Sequence, residues 1–242
     1  MFKAVFFDLD DTLYDQLSPF ELALGKAGLN DCVRSREGAS DLFKSIRRHS
    51  DRLWIKHAGG ELTLERLRIE RTCAAFAELG IDLPEEAASL LQHCYEREQA
   101  NIKLHTGAKD LLMNLKEGGM ETGIITNGPV SHQTNKITAL GLKDAISDRR
   151  IFISDAIGAA KPDVGVFHYV RQAAGYQPHE LIYVGDAWHN DIAPAYRAGW
   201  LAVWVNVRGQ LPHAKDEEVR YSECASLEEA AGLLLDLCKP QP

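Results

Sequence analysis

Two aspartates one residue apart, Asp8 and Asp10, follow directly on the apolar run Ala4-Val5-Phe6-Phe7. A short apolar run that ends in a polar turn reads as a buried strand of a parallel sheet. In such sheets ligands bind beyond the carboxyl ends of the strands. Two carboxylates there can share a small cavity and a hard cation, which takes oxygen ligands. Aspartates after strands are also common turn residues, so the pair by itself leaves both readings open. Thr126-Asn127-Gly128 ends the run Ile124-Ile125. A hydroxyl and exposed backbone N–H groups at that place make either an anion pocket or an ordinary turn. Lys161 precedes Pro162. Proline suits the first turn of a helix, and Lys161 taken alone reads as a solvated lysine. Gly185-Asp186 follows the run Leu181–Val184, and Asp191 opens a helical pattern where N-cap chemistry would explain it.

The elements that must carry these residues alternate. Strands are predicted at Ala4–Phe7, Thr122–Thr126, Leu181–Val184 and Leu201–Val205, with Ile151–Ile153 the least marked. Helical periodicity fills Ala108–Lys116, Ser131–Leu140, Asp163–Ala174 and Ile192–Ala198, each closed by glycine. Strand and helix in alternation imply a doubly wound parallel sheet with helices on both faces. Between about Asp15 and about Asn101 only helical periodicity occurs, over a length no loop of a compact core reaches. The chain therefore divides into an α/β core, residues 1–14 and 102–242, and an inserted helical domain, 15–101. The stretch from Gly209 to Glu223 reads as a surface connection before a closing helix, Leu227–Leu237.

Composition narrows the function classes. Against 27 Lys and Arg stand 35 Asp and Glu in 242 residues, a balance opposed to nucleic-acid binding. The five cysteines are scattered and contain no C-x-x-C pair, which argues against a zinc cluster or disulfide framework and suits reduced thiols in a reducing compartment. The apolar N-terminus stops at Asp8 and no run reaches spanning length, so a cytoplasmic protein without a membrane partner is expected, as a monomer or weak homodimer.

In order along the chain, Asp8-x-Asp10, Thr126, Lys161-Pro162 and Gly185-Asp186 with Asp191 resemble the four motifs of the haloacid dehalogenase superfamily. The resemblance covers essentially the whole chain. The insert between the first two motifs is similar to the subclass with an α-helical cap. The resemblance implies a catalytic set of Asp8, Asp10, Thr126 and Lys161. Asp8 is the nucleophile that takes a phosphoryl group; Asp10 is the general acid and then the base. Thr126 and the backbone at Asn127 hold the phosphate, and Lys161 neutralises it. Asp8, the Asp10 carbonyl and Asp186 are implied to ligate Mg²⁺, with Asp191 supporting the metal or the lysine. Physical chemistry agrees, since a carboxylate approaches an anionic phosphate only when cations screen both.

A carboxylate at position 10 favours phosphate esters over the dehalogenase and phosphonatase branches, which lack one. A phosphoric monoester hydrolase acting on a small phosphorylated metabolite is the expected activity. A phosphomutase and a non-catalytic phosphometabolite-binding protein are the alternatives. Trp54, Gly60, Thr63 and Arg71 resemble the cap pattern of nucleotidase-like and sugar-phosphate phosphatases of that family. The likeness implies that Arg71 binds substrate phosphate or carboxylate. Its other reading is an exposed arginine paired with the neighbouring Glu70 or Glu78. Trp188 and His189 either line the entrance or pack, and His189 has no base role to fill beside Asp10.

Overall fold

The computed structural model describes residues 1–238, so the last four residues of the expected core segment lie outside the described residues. Strands β1 (Ala4–Phe7), β2 (Glu121–Thr126), β3 (Ile151–Ile153), β4 (Leu181–Gly185), β5 (Leu201–Val205) and β6 (Ser222–Cys224) form one sheet in the order β3-β2-β1-β4-β5-β6. Every pairing is parallel. This is the doubly wound sheet that the alternation predicts. β1 is central and buried throughout: Phe7 pairs with Ile124 on one side and Val184 on the other. The chain order reverses about β1, the place where such sheets open a crevice for ligands.

β6 departs from the expected surface connection. Its residues Ser222, Glu223 and Cys224 pair with Val203, Trp204 and Val205. Three residues with one buried side chain carry no apolar pattern, so the strand depends on its neighbour rather than on local propensity.

Rings fill the interior of this sheet unit. Phe6, Phe167, Tyr183 and Trp200 are all buried, with Phe6 and Phe167 each 5.5 Å from Trp200 and Phe167 edge-on to Tyr183 at 5.0 Å. Gly123 pairs with Phe6 across β1 and β2. A Cβ on Gly123 would stand 2.3 Å from the Phe6 ring, so glycine is what lets that ring lie over the strand.

The chain forms two compact units. One is Gln16–Ile102; the other joins Met1–Asp15 to the chain from Lys103 onward. The first contains α1 (Leu17–Lys26), α2 (Arg36–Ala58), α3 (Leu64–Ala77) and α4 (Glu85–Gln99). Ser35 caps α2 by accepting from the Gly38 N–H, and Thr63 caps α3 by accepting from the Arg66 N–H. Gly60 turns the chain between them at φ 77°. Their core is aromatic, with Phe20, Phe43 and Tyr95 mutually 4.9–6.0 Å apart.

In the second unit, α5 (Ala108–Glu117), α6 (Val130–Ala139), α7 (Ser154–Ile157), α8 (Val164–Ala174), α9 (Ala193–Arg197) and α10 (Leu227–Leu237) accompany the strands. α5 buries Ala108, Leu111, Leu112 and Leu115, one stripe at helical spacing. α8 begins later than proline chemistry suggests. Asp163 is its N-cap, accepting from the Gly165 N–H, so Pro162 lies ahead of the helix and not in its first turn. Among the described residues, no helix is long and apolar enough to cross a membrane.

Candidate active site

The polar residues singled out by the motifs stand at the carboxyl ends of adjacent strands. Asp8 follows β1, Thr126 ends β2, and Asp186 follows β4. The Asp8 N–H donates to the Val184 carbonyl at 2.8 Å, which continues the ladder one residue past β1 and fixes the backbone of this carboxylate. Lys161, on the loop before α8, is buried instead of solvated. Its Nζ lies 2.6 Å from Asp8 Oδ1 and 2.6 Å from Asp191 Oδ1, and donates to the Tyr183 hydroxyl at 2.8 Å. A buried ammonium persists only with such partners. The loop is held in turn by Asn127, whose side-chain amide accepts from the Lys161 N–H at 3.0 Å and donates to the Lys161 carbonyl at 2.8 Å. Asn127 thus ties the β2 turn to the lysine loop with its side chain.

Asp191 does not open a regular helix as an N-cap. It sits in a wide turn over Trp188–Ile192 ahead of α9, with its Oδ2 accepting from the Ala187 N–H at 3.0 Å. Wide turns of this kind cluster at functional sites. Here the turn folds the carboxylate back toward Lys161 and Gly185.

Charge in this cluster is unbalanced. Burial pushes the Asp8 carboxyl up to about 7; Lys161 opposes that rise, while Asp191 and Asp10 add to it. Burial also works against the Lys161 ammonium, but Asp191 and Asp8 outweigh it and hold the lysine charged to higher pH than usual. Asp8, Asp186 and Asp191 each bring a carboxylate oxygen to within 4.8 Å of one another. Three acids and one lysine in this space leave a site that favours a further cation. An all-oxygen donor set suits Mg²⁺.

The Asp10 side chain lies elsewhere. Its two oxygens are 2.7 and 2.9 Å from Lys136 Nζ, Oδ1 accepts from the Tyr14 hydroxyl, and Oδ2 accepts from Gln133 Nε2 at 3.1 Å. Burial alone would raise this carboxyl; Lys136, Tyr14 and Gln133 overcome it and hold Asp10 well below the ordinary carboxylate range. Gln133 also contacts Thr126 Oγ1 and the Asn127 carbonyl.

Lys136, Gln133 and Tyr183 were not legible as site residues from motif order. The signal for the first two lies in α6. Gln133, Lys136, Ile137 and Leu140 recur at helical spacing on one buried stripe, two of them polar where apolar residues are expected. Tyr183, on a buried strand, needs a partner for its hydroxyl and finds Lys161, Asp191 and the Ile125 carbonyl.

Within the helical unit, Arg71 is inside the bundle, not an exposed arginine paired with Glu70 or Glu78. It donates to Ser50 Oγ on α2 at 3.1 Å and to Gln92 Oε1 on α4 at 2.8 Å. Its Nε is buried without a partner. Trp54 is half-buried against His57. Trp188 is buried against Trp204 and Tyr221 and donates to Asp216 at 2.7 Å, which is the packing alternative; His189 is exposed.

Residues 2–199 match the family profile of haloacid dehalogenase-like hydrolases. Over 99% of its length the chain is 27% identical to the whole of a glyceraldehyde 3-phosphate phosphatase from Methanocaldococcus jannaschii. It is 28% identical to a phosphoserine phosphatase from Thermus thermophilus, across 87% of this chain and 90% of that one. Among solved structures it resembles the magnesium-bound HAD-hydrolase YfnB from Bacillus subtilis, with a TM-score of 0.70 and 26% identity over 96% of this chain and 98% of that one. With this fold and this order of strand-end residues, the chain belongs to the haloacid dehalogenase-like hydrolase family, on its phosphatase branch.

Proposed function

We propose that the protein is a magnesium-dependent phosphatase that hydrolyses small phosphate monoesters through a phosphorylated Asp8. The observation that carries the reading is Lys161 Nζ at 2.6 Å from Asp8 Oδ1, with Asp186 and Asp191 gathered at the same carboxylate. Asp8 attacks phosphorus and the bond to the ester oxygen breaks. Asp10, which Lys136, Tyr14 and Gln133 hold ionised in the free protein, takes up a proton as the ester binds and delivers it to that oxygen. Water then attacks the phosphoaspartate while Asp10 takes its proton, and inorganic phosphate leaves. Thr126, the backbone at Asn127 and Lys161 hold the phosphate oxygens. Asp8, Asp186 and the Asp10 carbonyl would hold Mg²⁺, which when bound neutralises charge between nucleophile and phosphate. Asp191 supports the cluster by holding Lys161 at 2.6 Å.

The relatives support a substrate class. Phosphatases of glyceraldehyde 3-phosphate and of phosphoserine both act on small esters that carry a second polar group, which favours a phosphorylated metabolite of that size. Arg71 is the proposed contact for that group. The test is release of inorganic phosphate from such esters with Mg²⁺ and no bisphosphate activator, and its loss in Asp8→Asn. Isomerised product without free phosphate would overturn the reading in favour of a mutase.

A further inference from the structure

Every oxygen of the Asp10 carboxylate is claimed by a side chain other than those around Asp8. Lys136 reaches both oxygens, Tyr14 holds Oδ1, and Gln133 holds Oδ2. Lys136 and Gln133 sit one turn apart on the buried stripe of α6, with 5% and 1% of their surface exposed. Neither position is cheap for the fold. A buried ammonium and a buried amide cost free energy unless each is paired, and an apolar pair would pack α6 against the sheet at least as well. The Gln133 amide also spans two parts of the site, since its Nε2 lies within hydrogen-bond reach of Asp10 Oδ2, Thr126 Oγ1 and the Asn127 carbonyl. Its Oε1 is buried and has no partner.

We propose that Lys136 and Gln133 are positioning residues for the acid–base step, setting where the Asp10 carboxylate stands relative to the turn that ends β2. The inference rests on the reading of Asp10 as acid and base. Lys136 grips the carboxylate on both oxygens, which fixes its rotation; Gln133 sets its distance from Thr126. General acid–base catalysis depends on that placement, because a proton passes only across hydrogen-bond distance. Among the described residues neither side chain bonds the Asp8 carboxylate; Lys136 acts on the rate through Asp10, whereas Gln133 also reaches Thr126 and the Asn127 carbonyl, and the Asp10→Asn background separates its two effects.

The experiment measures kcat and KM for an alkyl phosphate in Lys136→Met, Lys136→Arg and Gln133→Leu, each made in the parent and in Asp10→Asn. Lys136→Met in the parent is expected to lower kcat about 10²-fold, the lower end of what an acid–base group supplies, with KM changed less than about threefold. Lys136→Arg should recover part of the loss. In the Asp10→Asn background the Lys136 substitutions should change the remaining rate less than about twofold, because the group they position is gone, and the loss from Gln133→Leu should shrink to the part that acts through Thr126. A loss of equal size in both backgrounds, or a rise in KM with kcat intact, overturns the inference and hands Lys136 to packing or to the phosphate. Should Lys136→Met fail to fold, Gln133→Leu decides by the same comparison, since it leaves no unpaired charge behind. If Asp10→Asn itself keeps the parent rate, it is the acid–base reading that fails. If Asp10→Asn is slow and Lys136→Met multiplies with it, only the positioning role fails.

Discussion

A Cβ placed on Gly185 would lie 2.5 Å from the Cβ and Cγ of Asp191. The close approach explains why glycine ends β4. Asp191 is folded back over the strand by the Trp188–Ile192 turn, and only a bare backbone leaves room for it. Gly185→Ala must therefore push the carboxylate that holds Lys161. Overpacking of this kind costs about 1–3 kcal/mol, so a lower Tm is expected. Gly123→Ala is the control: it strains Phe6 to a similar degree, but its nearest neighbours include no carboxylate of the site. The expected result is a similar Tm loss in both and a much larger fall in kcat for Gly185→Ala. Activity falling in step with stability in both variants would remove Asp191 from the argument.

Burial raises the Asp8 carboxyl to about 7, so the folded state binds a proton there more tightly than the unfolded chain, whose aspartates titrate near 4. Stability from protonated Asp8 is fully present below the unfolded value and is lost as pH rises through about 7. A cation held by Asp8 competes with that proton. Added Mg²⁺ should raise Tm little at about pH 5 and several-fold more at about pH 8, where the carboxylate is free to bind it. Thermal denaturation with and without Mg²⁺ at both pH values checks this. Equal shifts would show that the ion binds without Asp8.

Arg71 bridges α2 and α4 from α3 through Ser50 and Gln92, and burial, with Arg68 and Arg47 nearby, lowers its guanidinium pKa to about 10, although Tyr95 and Glu96 act in the other direction. Arg71→Ala should lower Tm, since bonds from charged donors are worth about 1.5–3 kcal/mol each. A substrate contact predicts something more. KM for phosphoserine or glyceraldehyde 3-phosphate should rise well above the change for a simple aryl phosphate. Equal changes in both would leave Arg71 with bundle packing alone.

Residues immediately after apolar runs were the legible part of the site. Asp8 and Asp186 follow, and Thr126 ends, strands whose buried residues announce themselves, and strand ends are where a parallel sheet places ligands. The helical insert was legible for a related reason, since strand signals are missing from Asp15 to Asn101. What escaped depends on tertiary partners. β6 owes its existence to β5, and Asp191 reads locally as a helix cap although the fold uses its two oxygens to hold Lys161 and the Ala187 N–H. Nothing in the sequence alone singles out Lys136 and Gln133, because helical periodicity identifies a stripe, but the sheet beneath decides which stripe is buried.

Asp8 and Asp10 are separated by a single residue yet occupy different electrostatic surroundings, and their substitutions should separate two chemical steps. On the proposed mechanism, in which Asp8 is the nucleophile and Asp10 the acid and base, Asp8→Asn leaves no phosphoenzyme with any ester. Asp10→Asn keeps Asp8 with Lys161 on its Oδ1 but removes the proton donor and the later base. The lost acid–base help is worth about 10²–10⁴ in rate. An aryl phosphate has a leaving group that needs little protonation, so its first step should survive in Asp10→Asn while water attack on the phosphoaspartate remains slow. The expected record is a burst of phenol near one equivalent per enzyme followed by a slow steady state. An alkyl phosphate needs the acid at once and should give no burst. Rapid quench with both esters distinguishes the cases. Parent-rate turnover of the alkyl ester by Asp10→Asn would dismiss Asp10 as the acid and base, and a burst from Asp8→Asn would place the nucleophile on another residue.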